Sequence, residues 1–247
     1  MSGSSARGAT RAFLLAAGLG TRLRPLTEER PKCLVPIRGV PLLRIWLDLC
    51  AGHGIREVLV NTHHLAPAVE RFAREYGGPV KLRLVHEPQL LGSAGTVRAN
   101  RGFVSDQESF FVIYADNLST VDLSALRTFH GTHAGLLSVA VFRAEDPRRC
   151  GIAVLDASNR ITAFVEKPAE PPSPWANAGI YLARQGLFDL LPGDGFADFG
   201  FHVLPRAAGR MYAFPVEGYH RDIGTPEAYR RAQEEWPGLP ALDEVRP

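Results

Sequence analysis

Lysine is almost missing from this chain. Of 28 basic residues only Lys32, Lys81 and Lys167 are lysine, which leaves 25 arginines. An ammonium is a compact point charge, unlike the flat guanidinium fork, so each lysine invites a specific question. Cysteine is scarce too. Cys33, Cys50 and Cys150 are odd in number, widely spaced and form no C-x-x-C pair, which excludes a disulfide framework and fits free thiols in a reducing, cytoplasmic compartment. No apolar stretch approaches the ~20 residues a membrane span needs, and the polar start MSGSSARGAT lacks the apolar segment of a signal peptide. No membrane partner is expected. Excess charge is also missing: the net charge is +2, without the basic bias of a nucleic-acid protein, so an anionic partner must be met locally. There is no internal repeat, and PAEPPSP at 168–174 is the only low-complexity stretch, read as an extended loop.

What is present is an average globular composition, 45% hydrophobic and 22% charged over 247 residues, a length that suits one large α/β domain or two small ones. AFLLAAG from Ala12, EVLVNT from Glu57, VKLRLVH from Val80 and SFFVIYAD from Ser109 are short apolar runs bounded by turn residues, the pattern of buried strands. Between them LLRIWLDLCAGHG, LAPAVERFAREYGG and SAGTVRANRGFV carry apolar residues at helical spacing, with glycine near the end of each. Strand–helix alternation predicts an α/β fold with a doubly wound, mostly parallel sheet and a ligand site at the carboxyl ends of its strands. From about Ser138 the rhythm changes: SVAVFR, GIAVLD, RITAFVEKP and ANAGIYLAR follow in quick succession, a β extension of the same sheet, with helices expected near Phe188 and Ala228. The expected organisation is a tail over 1–10, one domain over 11–236 and a second tail over 237–247.

The densest chemistry lies in LLAAGLGTRLRPLTEERPKCLVPI, residues 14–37. Gly18 and Gly20 after a strand would let backbone N–H groups cradle an anion, and Arg22 offers a fork of donors to phosphate oxygens. The pattern G-x-G-x-x-G lacks its third glycine, because position 23 is leucine, and no G-x-x-x-x-G-K-[ST] motif occurs. The cradle therefore belongs to another nucleotide fold, or is an ordinary strand-to-helix turn.

Further motifs follow in order: LGSAGT from Leu91, YADN from Tyr114, FVEKP from Phe164, NAGIY from Asn177 and RDIGTPEAY from Arg221. With LAAGLGTRLRPLT and PKCLVPI they closely resemble the signatures of the sugar-1-phosphate nucleotidylyltransferases, over about residues 11–235. The resemblance implies a Rossmann-like fold of the glycosyltransferase-A type with a sugar-binding β extension. It also implies transfer of a nucleotidyl group from a nucleoside triphosphate to a sugar 1-phosphate with release of pyrophosphate. Asp116 and Asp222 resemble the family's metal-binding aspartates, and two carboxylates suit Mg²⁺, which commonly takes one or two together with phosphate oxygens and water. The catalytic set implied is Arg22, Lys32, Asp116 and Asp222, with Arg22 on the departing pyrophosphate and Lys32 on the phosphate under attack. Leu15, Ala17, Gly18, Gly20, Thr21, Glu87, Gly92 and Ser93 match the nucleotide site. Asn117, Gly151, Glu166, Lys167, Asn177 and Gly179 match the sugar-phosphate site.

Base choice turns on HEPQLLGSAG. The family's base-reading residue falls on Glu87, and a carboxylate can accept from the adjacent N1 and N2 donors of guanine, which favours GTP. A two-residue slip would put Gln89 there, whose amide suits uracil or thymine. The missing C-terminal β-helix favours the short single-activity relatives: guanylyltransferases for heptose or mannose 1-phosphate, or uridylyltransferases of the N-acetylmuramate 1-phosphate type. A non-catalytic nucleotide-sugar-binding regulatory subunit is the rival from another class, and a homo-oligomer is compatible with either. Asn61, at a strand end, is a candidate support for the cradle. His63 and His64 lack partners at ligand spacing, and Cys33 beside Lys32 has no histidine to activate it.

Overall fold

The computed structural model describes residues 9–240, and in it the four early apolar runs are adjacent strands. In chain order the elements are β1 (Arg11–Leu15), β2 (Pro36–Ile37), β3 (Val40–Pro41), α1 (Leu42–Gly52), β4 (Glu57–Thr62), α2 (Ala66–Glu75), β5 (Lys81–His86), α3 (Ser93–Ala99), β6 (Ser109–Tyr114) and β7 (Asn117–Ser119). They continue as α4 (Leu123–Gly131), β8 (Leu137–Arg143), β9 (Gly151–Leu155), β10 (Arg160–Glu166), β11 (Trp175–Arg184), α5 (Leu204–Ala207), β12 (Met211–Pro215), β13 (His220–Asp222) and α6 (Pro226–Glu235).

Nine strands form one sheet in the order β5-β4-β1-β6-β11-β8-β12-β10-β9. β5, β4, β1 and β6 pair in parallel, as do β8 and β12, whereas β11 opposes β6 and β8, and β10 opposes β12 and β9. Only β10 and β11 therefore run against the other seven. The central strands are apolar on both faces: Ala12 and Leu14 of β1 join one core with Leu43, Trp46 and Leu47 of α1, while Phe13 joins the other with Ala94 and Val97 of α3. This period of two explains the unbroken apolar run of a strand covered on both sides. Each fully buried leucine or phenylalanine contributes roughly 1.5–3 kcal/mol. β5 alternates instead, exposing Lys81 and Arg83, and charge suits the edge it occupies.

The chain leaves β1 through α1 toward β4 and β5, then returns through α3 to β6 on the other side of β1. This reversal opens a crevice beyond the paired ends Leu15 and Tyr114. Helix starts follow local chemistry. The Asp122 carboxylate accepts from the Ser124 and Ala125 amides at 2.8 Å each, and the Thr225 hydroxyl accepts from Ala228 with Pro226 at the first helical position.

Several expectations need correction. The helix expected near Phe188 is a 3-10 turn, Gln185–Asp189, and the stretch from Ser93 is a helix only to Ala99 before a 3-10 turn over Arg101–Val104. Helix α4, strand β12, the β2–β3 hairpin and the β7–β13 pair had no sequence expectation at all. Positions 1–8 and 241–247 of the expected tails lie outside the described residues. Ala9 and Thr10, expected in the first tail, are packed: Ala9 is fully buried and the Thr10 carbonyl accepts from Arg56. No helix among the described residues is long and apolar enough to cross a membrane.

Candidate active site

Two adjoining cavities of about 230 and 280 Å³ open beyond the carboxyl ends of β1 and β6. The first is lined by Leu15, Ala16, Ala17 and Gly18 after β1, by Asn61 and Glu87 at the ends of β4 and β5, and by Gly92 and Ser93 at the start of α3. All the sequence-predicted nucleotide residues except Gly20 and Thr21 are thus on its wall. Gly20 instead shapes the turn behind it: its carbonyl accepts from the Leu23 amide and the Thr27 hydroxyl, and Thr21 opens the 3-10 turn Thr21–Leu23.

A buried polar network stiffens this wall. The Asn61 carbonyl oxygen accepts from the Ala16 amide at 2.7 Å, and its amide donates to Glu87 Oε1 at 2.9 Å and to the Thr96 hydroxyl at 3.0 Å. The Thr96 hydroxyl donates to Glu87 Oε1 at 2.5 Å, and the Leu91 amide donates to Oε2 at 3.2 Å. Glu87 is 2% exposed, and Oε1 is spoken for, which leaves one acceptor direction on Oε2. The expectation that the Glu87 carboxylate accepts from both N1 and N2 of guanine is thus limited by three acceptor directions already in use within the protein. Glu87 lines the cavity but is first a strut for Asn61 and α3. Gln89 is exposed and outside the lining. Ser93 is likewise engaged, donating to Asp198 Oδ2 at 2.9 Å and accepting from the Tyr114 hydroxyl and the Phe199 amide.

Lys32, Asp116 and Asp222 meet where the cavities join. Asp116 follows β6, and the β7–β13 ladder, with Asp222 opposite Asn117, carries Asp222 beside it. The Lys32 ammonium lies 2.9 Å from Asp116 Oδ2 and 3.4 Å from Asp222 Oδ1, and is 6% exposed. Burial alone would lower the Lys32 pKa, but the two carboxylates override it and the net shift is upward. Burial would raise the Asp116 carboxyl, yet Lys32 holds it below its usual range. Asp116 remains 43% exposed to the cleft, lining both cavities. Among the described residues no cluster of three His, Cys, Asp or Glu side chains forms a closed metal cage. Two cleft-facing carboxylates fit a Mg²⁺ that takes its remaining ligands from substrate phosphates and water.

The second cavity is lined by Asn117, Gly151, Glu166, Lys167, Asn177 and Gly179, every one of the predicted sugar-phosphate residues. Asn177 and Gly179 sit where the β11–β8 register is interrupted, a bulge that turns them toward the site. The Asn177 amide donates to the Tyr181 hydroxyl at 2.6 Å, and its carbonyl oxygen accepts from Gly179 at 3.0 Å, so the side chain is held in place. Asn117 is buried, donating to the Ala178 carbonyl at 2.9 Å. Glu166 is wedged between Gly151 and Gly200, at either of which a Cβ would collide with Oε2. Burial raises its carboxyl, Lys167 opposing and Asp198 adding to the shift. Arg22 lines this second cavity and not the first, 3.8 Å from Asp222.

Other side chains on the walls were not among the expected site residues. Tyr114 lines both cavities, and Asp198, Arg149, Phe201 and His220 line the second. Asp198 stands in no motif read above, and only folding brings it to Ser93. His63 is structural, its Nδ1 2.7 Å from the Glu87 carbonyl. Cys33 is buried, which pushes its thiol up to about 12 and keeps it protonated.

The model of the nucleotidyl transferase family matches residues 11–237. The chain belongs to the nucleotidyl transferase family. Within that family it is 34% identical over 228 residues to the mannose-1-phosphate guanylyltransferase of Mycobacterium tuberculosis, and 32% identical to the mannose-1-phosphate guanylyltransferase catalytic subunit beta of Danio rerio. Each alignment covers 89% of this chain but 62% of the relative, so the chain spans about three fifths of those proteins. The fold is shared with a UDP-glucose pyrophosphorylase solved with UDP-glucose, at a TM-score of 0.81 and 21% identity over 92% of this chain and 98% of that one. HddC from Yersinia pseudotuberculosis aligns with a TM-score of 0.78 and 24% identity, over 92% and 99% of the two chains.

Proposed function

We propose that this family member is a sugar-1-phosphate nucleotidyltransferase that transfers guanylyl from GTP to a mannose-type sugar 1-phosphate, acting as one unit over residues 11–236. The observation that carries this reading is the Lys32–Asp116–Asp222 cluster at the junction of the two cavities. The guanylyltransferase relatives support the choice of GTP and mannose 1-phosphate. The nucleotide occupies the first cavity and the sugar phosphate the second. A sugar-phosphate oxygen forms a bond to the α-phosphorus while the bond to the β-phosphate oxygen breaks, and pyrophosphate leaves with that electron pair. The nucleophile is already an anion, so no covalent enzyme intermediate is required.

The cluster's task is to position two polyanions and offset their charge. Lys32, kept protonated by its carboxylates, faces the α-phosphate. The amides after β1 receive the other phosphate oxygens. Arg22, on the wall of the second cavity and 3.8 Å from Asp222, offers its guanidinium to phosphate oxygens at the junction of the two cavities. Lys167 and Arg149 add positive charge to that cavity, and Glu166 and Asn177 meet sugar hydroxyls. Asp116 and Asp222 would hold Mg²⁺, which when bound supplies charge neutralisation at the phosphates. The test is pyrophosphate release with Mg²⁺ from GTP, UTP, dTTP or ATP, each paired with mannose, glucose and heptose 1-phosphates. GTP with mannose 1-phosphate is expected to be fastest, and absence of turnover with every pair overturns the reading.

A further inference from the structure

The segment 192–203 runs between the Gln185–Asp189 turn and α5 and contributes to the walls of both cavities. It carries the two most exposed large hydrophobic side chains among the described residues, Phe196 at 62% and Phe201 at 58%. Neither belongs to a loose loop. The Ala197 amide donates to the Leu91 carbonyl at 2.8 Å, and the Ala197 carbonyl accepts from the Ala94 and Gly95 amides at 2.9 and 3.0 Å. The Arg98 guanidinium donates to the Pro192 and Gly195 carbonyls at 2.8 and 2.7 Å. Asp198 Oδ1 accepts from the Gly200 and Phe201 amides, and Oδ2 accepts from Ser93. Between the exposed rings, Ala197 and Phe199 are fully buried.

A backbone held this firmly presents its two phenyl rings to water by construction, forgoing the stabilisation that burying them would bring. Each ring lines a different cavity. Phe196 is on the wall of the first, which Glu87 and Leu90 also line, with its Cε2 3.0 Å from where a Cβ at Gly92 would stand. Gly92 cannot be enlarged without striking the Ala197 carbonyl as well, so strap and α3 are in close contact. Phe201 is on the wall of the second, with the Lys167 ammonium 5.8 Å from its ring centroid.

We propose that the strap is a two-sided aromatic clip: Phe196 stacks on the nucleobase, and Phe201 covers the apolar face of the sugar ring. This rests on the assignment of nucleotide and sugar phosphate to the two cavities. A base offers a flat π-face, for which a phenyl ring fixed at the cavity wall is a suitable platform whatever hydrogen-bond edge the base carries. A pyranose offers a face of C–H groups that packs against a ring in the same way. Because a purine presents the larger face, Phe196 contributes to the preference for GTP over UTP. The single acceptor direction left on Glu87 Oε2 then has a stacked base to read.

The test pairs Phe196→Ala with Phe201→Ala, measuring kcat and both KM values with GTP and mannose 1-phosphate, alongside calorimetric titration of each compound alone. Phe196→Ala is expected to raise KM for GTP about tenfold, leave KM for mannose 1-phosphate unchanged and shrink the GTP-over-UTP ratio. Phe201→Ala is expected to raise KM for mannose 1-phosphate about fivefold and leave GTP alone. Phe196→Trp and Phe201→Tyr should rescue, and Phe196→Leu should not. Unchanged KM values, equal shifts in both, or full rescue by leucine overturn the clip. Wild-type protein that binds both compounds without turnover overturns the proposed reaction and leaves the clip to the calorimetry. Wild-type protein that binds neither overturns both.

Discussion

The first cavity is walled by the ends of parallel strands and the second by the faces of antiparallel ones, and their side chains differ accordingly. Around the first, polar groups are spent on one another: Asn61, Glu87 and Thr96 form a closed buried network whose product is a fixed backbone after β1. Around the second, Glu166, Lys167, Arg149 and Arg22 keep charged ends in the cleft. Parallel strand ends deliver backbone N–H groups, which suit phosphate and carry little selectivity. A bulged antiparallel face delivers side chains two residues apart, which suits a ring of hydroxyls. On the proposed assignment of the two cavities, specificity for the sugar would come from side-chain chemistry, and the phosphates of the nucleotide would be held by preorganised backbone.

The largest effect is expected where the two regions meet. Asp116→Asn should lower kcat by at least about 100-fold in pyrophosphate release, with the far-ultraviolet circular dichroism spectrum unchanged. Normal turnover would remove Asp116 from the reaction centre. An intermediate effect tests the network side. Asn61→Ala leaves the Ala16 amide and Glu87 without their partner, so stability should fall by about 1–3 kcal/mol in urea unfolding. KM for the triphosphate should rise while KM for the sugar phosphate holds; a rise in the latter alone would break the distinction between the regions.

The smallest effect separates the regions by pH. Burial raises the Glu166 carboxyl, so the folded state binds its proton more tightly than the unfolded chain and the ionised form weighs against folding above that raised value. Glu166→Gln should therefore raise Tm at pH 8, with the gap closing as pH falls into the ordinary carboxylate range near ~4.3. Asp116 has the opposite sign. Lys32 depresses its carboxyl, so its stabilisation is present above the ordinary carboxylate range and lost as pH falls through the lowered value. A Tm gap for Glu166→Gln that widened on acidification would show that the carboxylate is stabilised in the fold.

The legibility of the sequence follows the range of the interactions involved. Strands β1, β4 and β6 were readable because strands covered on both faces must be continuously apolar. β12 was not, since MYAFP is short and its place is set by pairing with β8. The short helix α5 follows a π-helical turn, Phe199–Val203, whose N-terminal groups are capped by Asp198, a partner that reaches Ser93 across 105 positions. Motif residues were legible as a set, and all the sugar-phosphate candidates do line one cavity. Their engagement was not legible: Glu87, expected to accept from guanine, also accepts from Asn61, Thr96 and the Leu91 amide.

The sequence by itself determined the strand–helix alternation, the glycine-rich turn after β1 and the identity of the charged residues, because each depends on local pattern or on residue type. Only the tertiary structure decided that Arg22 lines the second cavity and that Asp222 comes beside Asp116 through β13. It alone brought Phe196 and Phe201 to separate cavities. Those facts depend on contacts between distant segments, such as Lys32 with Asp222, 190 positions away, and such contacts are set by packing and strand register, which local pattern does not encode.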